Sequence, residues 1–380
     1  MTRTRGEEKI ISSPFSFMRK NQHSLRISAL RERMAQRGWR AFLVAHSANV
    51  RYLCGFTGSN GALLVEPSSV TLFTDGRYVL QAKQETSEVR SRVVIPKTPL
   101  LAAAGARLRA CGPHRAAIEA DVLTLAQGAV LRKAAGPKVR LTPTSGEVLN
   151  LRAVKQESEV SAIRAAAKLI CEVFEAILPK IRPGIRENQL AAEIEYEMRR
   201  RGASGPSFET IVASGPRAAL PHARPTTRAL RRGELVILDM GAILGGYCSD
   251  LTRTVYLGKA PGKVRGWHAA VWGAHRAARA ALMPGVECGL IDHAARESLR
   301  RARLERYFIH STGHGIGLEI HENPRLAKGQ TTKLAAGNVV TIEPGIYIEG
   351  VGGIRIEDDV LVTPQGPEVL TKMCEELLQL

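Results

Sequence analysis

The sequence has few cysteines and no long hydrophobic run. Its 6 cysteines are scattered over 380 residues, without a Cys-x-x-Cys pair or the dense spacing of small secreted domains held by disulfides. No apolar run reaches the roughly 18 residues that a membrane-spanning helix needs, and the N-terminus lacks the apolar stretch of a secretory signal. We therefore expect a protein of the reducing cytoplasm with no membrane partner.

A concentrated basic tract is also missing, although the formal net charge is +18. A field of this sign could attract nucleic acid or an anionic membrane. The arginines that produce it are spread along the chain, however, and do not form one run with interleaved aromatic side chains. We expect no nucleic-acid partner, and we interpret the basic, aperiodic segment 1–22 as a flexible leader.

The sequence does contain a rhythm of short apolar runs and helical patterns, and its length suffices for two domains that each bury a core. In the first domain, 23–150, helices are predicted at 24–37 and 100–110. Candidate strands lie at 41–44, 62–65, 70–73, 93–95 and 116–118. This alternation is typical of an α/β layer. Residues 143–151, rich in Thr, Pro, Ser and Gly, are predicted to be a connector.

The second domain, 151–380, is predicted to be α+β. A helix capped by Ser158 is expected to end before Pro183, and a second helix carries Leu190, Ile194 and Met198 on one face. A third helix is predicted at 267–282. Strand-like runs occur at 210–212, 235–238, 252–257, 339–342 and 346–348.

Two aspartates flank a predicted hairpin in the second domain. Apolar runs on either side of Gly245 and Gly246 predict two strands joined by a turn. A turn centred between Leu244 and Gly245 would place Asp239 opposite Asp250, on the same face. Carboxylates facing each other at about 5 Å repel unless a cation neutralises them. The hairpin is thus a candidate metal site, although aspartates at an exposed rim would give the same pattern.

Three histidines occur within twelve positions of a glycine-rich segment. His310, His314 and His321 are interleaved with glycines at alternate positions. Because glycine has no side chain, the backbone can approach a site closely there. A single histidine is usually structural, but three in such a segment favour a ligand role.

Two glutamates complete the candidate site. Glu343 ends an apolar strand at a Pro-Gly turn, and strict alternation at 354–357 puts Arg355 and Glu357 on one face of a strand. A salt-bridged strand edge facing solvent would show the same alternation, so this segment alone does not indicate a site.

Together the segments offer four carboxylates and one imidazole: Asp239, Asp250, His314, Glu343 and Glu357. This mostly hard oxygen set suits two divalent ions, Mn²⁺ first, with Zn²⁺, Co²⁺ or Fe²⁺ as alternatives in an open site. Such a pair lowers the pKa of a bridging water and polarises a carbonyl, so the expected reaction is hydrolysis. Arg355 is expected to orient one of the ligand carboxylates.

The order of these five residues resembles that of the aminopeptidase P, prolidase and methionine aminopeptidase superfamily. The resemblance covers residues 154–371 and includes His-Ser-Thr-Gly-His-Gly-Ile-Gly at 310–317 and Thr-Ile-Glu-Pro-Gly-Ile-Tyr at 341–347. Residues 49–60 are similar to the smaller N-terminal domain, which methionine aminopeptidases lack. The resemblance implies an α+β chain in which a creatinase-like α/β domain precedes a pita-bread metallopeptidase domain.

The resemblance also implies how the metal ions are held. Asp239 and Asp250 would bridge or chelate both ions, His314 and Glu343 would ligate one of them, and Glu357 would bridge both. Glu343 would in addition carry a proton away from the attacking water.

Further site residues follow from the same resemblance. His222 and His321 would contact the scissile carbonyl and the developing oxyanion, and His310 would line a pocket for proline. Arg355 and Tyr347 also occupy positions typical of the family. A homodimer is expected from the family as well.

The activity that this resemblance implies is an Xaa-Pro aminopeptidase, which removes one residue from proline-containing peptide substrates with proline second. A prolidase restricted to Xaa-Pro dipeptides is the closest alternative. A non-catalytic binding protein on the same scaffold is the alternative from another class, and it would normally have lost metal ligands.

Overall fold

The computed structural model describes residues 22–89, 91–112 and 114–380. The chain divides into two compact units, Met1–Leu151 and Arg152–Leu380. The basic leader predicted at 1–22 lies outside the described residues except for its last position. None of the described helices is long and apolar enough to cross a membrane.

The first unit is an α/β layer built on one six-stranded sheet with the strand order β4-β3-β2-β1-β5-β6. Its strands are β1 (Ala41–Val44), β2 (Gly61–Val65), β3 (Val70–Thr74), β4 (Arg92–Val94), β5 (His114–Glu119) and β6 (Val139–Thr144). Its helices are α1 (Gln22–Gln36), α2 (Ser47–Cys54), α3 (Val79–Glu85), α4 (Leu100–Ala110) and α5 (Leu125–Ala135), and α6 (Glu147–Arg152) ends at the unit boundary. All five predicted strands are confirmed. Four of the apolar runs are buried in the sheet, whereas Val93 and Val94 of the edge strand β4 are half-buried.

The predicted connector at 143–151 is wrong, because β6 and α6 occupy it. Pro143 is tolerated since β6 is an edge strand, where a missing N–H leaves no ladder bond unmade. The Ser-Gly pair that follows forms a turn held by Asp121, whose Oδ2 accepts from Ser145 Oγ at 3.0 Å and from Gly146 N at 3.1 Å.

The second unit packs two pairs of helices against mostly antiparallel sheets, which confirms the predicted α+β class. The helices are α7 (Glu157–Ile177), α8 (Glu187–Arg200), α9 (Gly262–Ala280) and α10 (Cys288–Arg301). One sheet has the order β20-β12-β9-β8, a second β14-β13-β15-β18-β19, and smaller sheets are β11-β10-β7 and β16-β17.

The strands of the second unit have the following bounds. They are β7 (Gly205–Pro206), β8 (Ile211–Ser214), β9 (Leu235–Met240), β10 (Ala242–Leu244), β11 (Tyr247–Cys248), β12 (Leu251–Tyr256), β13 (Gly313–Gly315), β14 (Glu322–Leu326), β15 (Val339–Ile342), β16 (Gly345–Ile348), β17 (Gly352–Arg355), β18 (Asp358–Thr363), β19 (Gly366–Val369) and β20 (Leu378–Gln379).

The two helix pairs bury separate cores. The predicted face of α8, Leu190, Ile194 and Met198, packs with α7 and with Val236 and Leu238 of β9. Helices α9 and α10 form a second core with residues of β15 to β18. The predicted N-cap Ser158 is wrong: α7 starts at Glu157 behind Gln156, which forms a capping box with Glu159.

Candidate metal centre

The hairpin of β9 to β12 positions two of the predicted ligands, but its register differs from the prediction. Asp239 pairs with Thr252, not with Asp250. The turn is centred between Gly245 and Gly246, which have φ of 58° and 86°. A two-residue turn with positive φ at both central positions favours glycine there, so the turn forms at the Gly-Gly pair and the register moves by two residues. Asp250 consequently lies just before β12, diagonal to Asp239.

Three side chains from distant parts of the second unit converge beside this hairpin. Ligand atoms of Asp250, His314 and Glu357 all lie within 4.8 Å of one another. His314 Nε2 is 3.8 Å from Asp250 Oδ2, and its Nδ1 lies 3.0 Å from the carbonyl oxygen of Gly315. A Nδ1–H donated to that carbonyl leaves Nε2 free to act as a ligand.

Glu343 joins the group from the end of β15. Its Oε1 lies 3.6 Å from His314 Nε2, and its backbone N–H donates to the carbonyl of Thr312 at 2.8 Å. Burial raises the pKa of Glu343 to about 8; Arg355 opposes this shift and the negative charge of Asp239 adds to it. Asp239 and Glu343 therefore lie within electrostatic range of each other.

The carboxylates repel one another strongly without a cation. Burial, followed by the charges of Glu357 and Asp239, raises the pKa of Asp250 well above its ordinary value. Burial and the charge of Glu343 do the same to Glu357. Among the described residues, Asp239 Oδ1 and Asp250 Oδ1 are buried and have no hydrogen-bond partner. Buried anionic oxygens are normally satisfied, so these donors fit divalent cations.

Arg355 is the cation that the protein itself supplies. Its Nη2 donates to Asp239 Oδ2 at 2.5 Å and its Nη1 donates to Tyr347 Oη at 2.7 Å. Since a guanidinium only donates, Tyr347 accepts this bond and its own proton points to His310 Nε2, 2.9 Å away. Burial and the nearby Arg355 lower the pKa of His310 to about 4, so this ring is neutral near pH 7.

The two remaining predicted histidines lie at the open side of the group. His321 is exposed, and its ring centroid lies 4.4 Å from that of His314 in an edge-on contact. His222 is exposed and close enough for its charge to lower the pKa of His310 and His321, in addition to the larger effect of burial. The structure thus brings all the predicted site residues into one region of the second unit.

The alternating glycines allow close backbone approach, as predicted, but between strands. A Cβ on Gly313 would lie 1.9 Å from Thr341 O, and one on Gly315 would lie 2.2 Å from Asn323 O. No side chain fits at either position. Strand β13, which carries His314, therefore packs closely between β14 and β15. This packing fixes the position of the His314 backbone and so the point from which the imidazole projects.

Sequence reasoning missed two buried aspartates that lie next to the predicted ligands Asp250 and Glu357. Asp359 Oδ2 accepts from the backbone N–H of Asp250 at 3.0 Å, and Asp358 pairs with Arg253 at 2.7 Å and His275 at 3.1 Å. The run Glu-Asp-Asp at the start of an apolar strand was the available signal, because three adjacent acids are rarely buried without a role.

Comparisons with known proteins decide the family. Residues 161–364 match metallopeptidase family M24, and residues 26–154 match the Creatinase/Prolidase N-terminal domain. The chain belongs to metallopeptidase family M24. The predicted arrangement of a creatinase-like domain before a pita-bread peptidase domain is thereby confirmed, and the protein is an enzyme of the metallopeptidase class.

Similar proteins cover nearly the whole M24 chain. It is 35% identical over 354 residues to the uncharacterized peptidase YqhT of Bacillus subtilis (strain 168), spanning 93% of this chain and 99% of that protein. A solved Xaa-Pro dipeptidase from Bacillus anthracis superposes with a TM-score of 0.90 at 37% identity, over 94% of this chain and 100% of that one.

A second solved structure carries a different name. The X-Pro aminopeptidase of Thermotoga maritima MSB8 superposes on the M24 chain with a TM-score of 0.86 at 35% identity, over 93% of this chain and 99% of that one. Membership of the family implies divalent metal ions, and the group around Asp250, His314 and Glu357 is a possible site for them.

Proposed function

We propose that this M24 peptidase hydrolyses the peptide bond preceding proline and releases the N-terminal residue, as an Xaa-Pro aminopeptidase. The observation that carries the proposal is the convergence of Asp250, His314 and Glu357 on one buried point. The similarity to proteins named X-Pro aminopeptidase and Xaa-Pro dipeptidase supports the choice of bond.

In this proposal two divalent ions, Mn²⁺ first, are held by Asp239, Asp250, His314, Glu343 and Glu357. Four carboxylates balance the charge of two such ions, and the unpartnered oxygens of the two aspartates supply donors. Ions held there would activate a water molecule and polarise the substrate carbonyl.

The protein's own side chains have separate tasks in this proposal. Glu343, half-buried directly after β15, takes the proton of the attacking water and passes it to the leaving nitrogen. His222 and His321 at the open side donate hydrogen bonds to the carbonyl oxygen as negative charge develops on it. Neutral His310, held by Tyr347, offers an apolar ring face to the proline.

The test is an assay of the purified full chain with Mn²⁺ after treatment with a chelator. The substrates are a pentapeptide with proline second, the same peptide with alanine second, and an Xaa-Pro dipeptide. We expect cleavage of the proline pentapeptide, with the first residue released, and no cleavage of the alanine peptide. Activity is expected to be lost with His314→Ala and retained with Glu193→Gln, an exposed change on α8. Equal cleavage of the alanine peptide would refute the proposed specificity.

A dipeptidase is a second candidate, favoured by the similarity to the Bacillus anthracis Xaa-Pro dipeptidase. Cleavage of the dipeptide without cleavage of the proline pentapeptide would select it. Elemental analysis of protein purified without added metal identifies the ions that it carries.

A further inference from the structure

A buried charge cluster lies directly beside His321. It consists of Arg152, Lys155, Glu319 and Glu322, all in the second unit. Arg152 is 1% exposed, Lys155 6% and Glu322 5%. Lys155 and Glu322 are not among the candidate site residues, and Glu322 follows His321 in the chain.

The cluster binds Glu322 from several sides. Arg152 Nη2 donates to Glu322 Oε1, and Lys155 Nζ donates to Oε2 at 3.2 Å. Arg152 Nη1 also lies 2.9 Å from Glu319 Oε2. The backbone N–H of Lys155 donates to the carbonyl of Gly337 at 2.8 Å, so Lys155 is itself anchored close to β15.

Glu322 in turn fixes the loop 315–322, which connects the two histidines of the site. Its Oε1 accepts from the backbone N–H of Glu319 at 3.2 Å, and Glu322 pairs with Gly315 across the ladder. A Cβ on Gly317 would lie 2.7 Å from both carboxylate oxygens, so the loop fits tightly around the Glu322 side chain.

His321 needs such support because its ring has none of its own. The ring forms no hydrogen bond with any residue in the described ranges, and its contact is the edge-on packing on His314. The direction of the imidazole is therefore set by the backbone on either side of it, and Glu322 is the first anchored residue on the C-terminal side.

The cost of burying these charges indicates that the cluster does more than stabilise the fold. Removing two cations and a carboxylate from water is expensive, and apolar residues of similar volume are often as stabilising as a buried ion pair. A buried, hydrogen-bonded polar network can instead hold a loop, here 315–322, in one conformation.

We propose that Arg152 and Lys155 are positioning residues for His321 and act through Glu322. The inference rests on the proposed function, in which His321 contacts the substrate carbonyl. Displacing such a donor by about 1 Å can cost up to 100-fold in rate. The substrate KM and the affinity for Mn²⁺ depend on other residues and should change little.

The decisive experiment is a double-mutant cycle with the Mn²⁺-loaded full chain. We expect R152M to lower kcat at least 10-fold, and to have less than a 2-fold effect in the H321A background. R152K, which keeps the charge, should recover part of the rate. E197Q, which breaks the Glu197 contacts to Lys180, Arg200 and Arg201 near the end of α8, is the control for a lost ion pair and should leave kcat unchanged.

A second readout needs neither substrate nor metal. Carbethoxylation of His321 by diethyl pyrocarbonate, followed by mass spectrometry on chelator-treated protein, should change at least 3-fold in rate in R152M and stay constant in E197Q. K155M is measured in the same way, so the inference remains testable if R152M does not fold.

The outcomes separate the two proposals. The positioning role would be overturned if kcat and the carbethoxylation rate of His321 were both unchanged in the variants. It would also be overturned if the fold-reductions in kcat caused by R152M and H321A multiplied in the double variant. A wild-type protein that cleaves no Xaa-Pro substrate would overturn the proposed function, while the carbethoxylation rates would still decide whether the cluster positions His321.

Discussion

The guanidinium of Arg355 donates to the carboxylate of Asp239 across 2.5 Å, and both side chains are buried. The guanidinium makes three further bonds, to Tyr347 Oη, Thr252 Oγ1 and the carbonyl of Pro221. These bonds hold the positive charge of Arg355 in place beside the carboxylates of Asp239, Glu343 and Glu357.

Replacing Arg355 by Met should lower the free energy of unfolding of the metal-free protein by about 3–5 kcal/mol, because Asp239 keeps a buried charge without its partner. Arg355→Lys should recover less than half of the loss, since an ammonium does not reproduce the planar fork of donors. Urea denaturation in the presence of a chelator measures both. A Lys variant as stable as the wild type would show that charge alone matters.

Tyr347→Phe should release His310. The wild-type Tyr347 hydroxyl stays protonated because burial raises its pKa to about 12, and it donates to His310 Nε2. We expect kcat to fall roughly 10-fold or more, as for a lost catalytic hydrogen bond. Nitrogen-15 NMR of labelled histidines should show His310 protonated on Nδ1 in the wild type. A proton on Nε2 would contradict this network.

Glu187→Gln should destabilise the fold in a pH-dependent way. The buried carboxylate accepts from the N–H and hydroxyl of Ser214, from both groups of Thr226 and from Arg217 Nε. Burial alone would raise its pKa, but the bonds from Thr226 and Ser214 prevail and lower the pKa below its ordinary value of 4.5. Its contribution is therefore complete above pH 4.5 and disappears as the pH falls through the depressed pKa.

At pH 7 we expect Glu187→Gln to lose roughly 2 kcal/mol, more than one neutral hydrogen bond contributes. Thermal or urea unfolding from pH 7 down to pH 3 should show that the stabilities of the wild type and of Glu187→Gln converge as the pH falls. Glu193→Gln on the same helix, with one partly exposed ion pair to Lys180, serves as the control and should change stability by less than about 1 kcal/mol. A difference that widens in acid would refute the assignment.

Asp250→Asn should raise the stability of the metal-free protein and lower the stability of the Mn²⁺-loaded protein. Without metal the variant should be more stable, by about 1 kcal/mol, because a neutral amide costs less to bury than a carboxylate among like charges. With saturating Mn²⁺ it should be less stable than the wild type, since a ligand is lost. Calorimetric melting with chelator and with Mn²⁺ measures both signs. Destabilisation in both states would mean that Asp250 is mainly structural.

The apolar strands could be predicted from the sequence because their signal is local. The runs at 41–44 and 339–342 match β1 and β15, since buried strands are continuous apolar segments whatever their neighbours. The hairpin register failed at Gly245 and Gly246 because the prediction fixed the midpoint by symmetry between aspartates, whereas turn sterics fix it at the glycine pair.

Apart from Arg355, the supporting charges of the site could not be predicted, because their partners are distant in sequence. Arg152 and Glu322 are 170 positions apart, and Arg253 and Asp358 are 105 apart. No periodicity marks such pairs. The five predicted ligands could be proposed from the sequence because each lies in a segment whose composition is unusual for an ordinary strand or loop.

The close contacts at Gly313 and Gly315 have a consequence for protein engineering. Because even a methyl group at either position would collide with main-chain atoms, a deep mutational library should tolerate no replacement there, and selection for altered substrate preference cannot use these positions. Diversity is better directed to exposed residues that lie close in the chain to His222 and His310, such as Leu220 and Ile309, where side chains can change size without moving a strand.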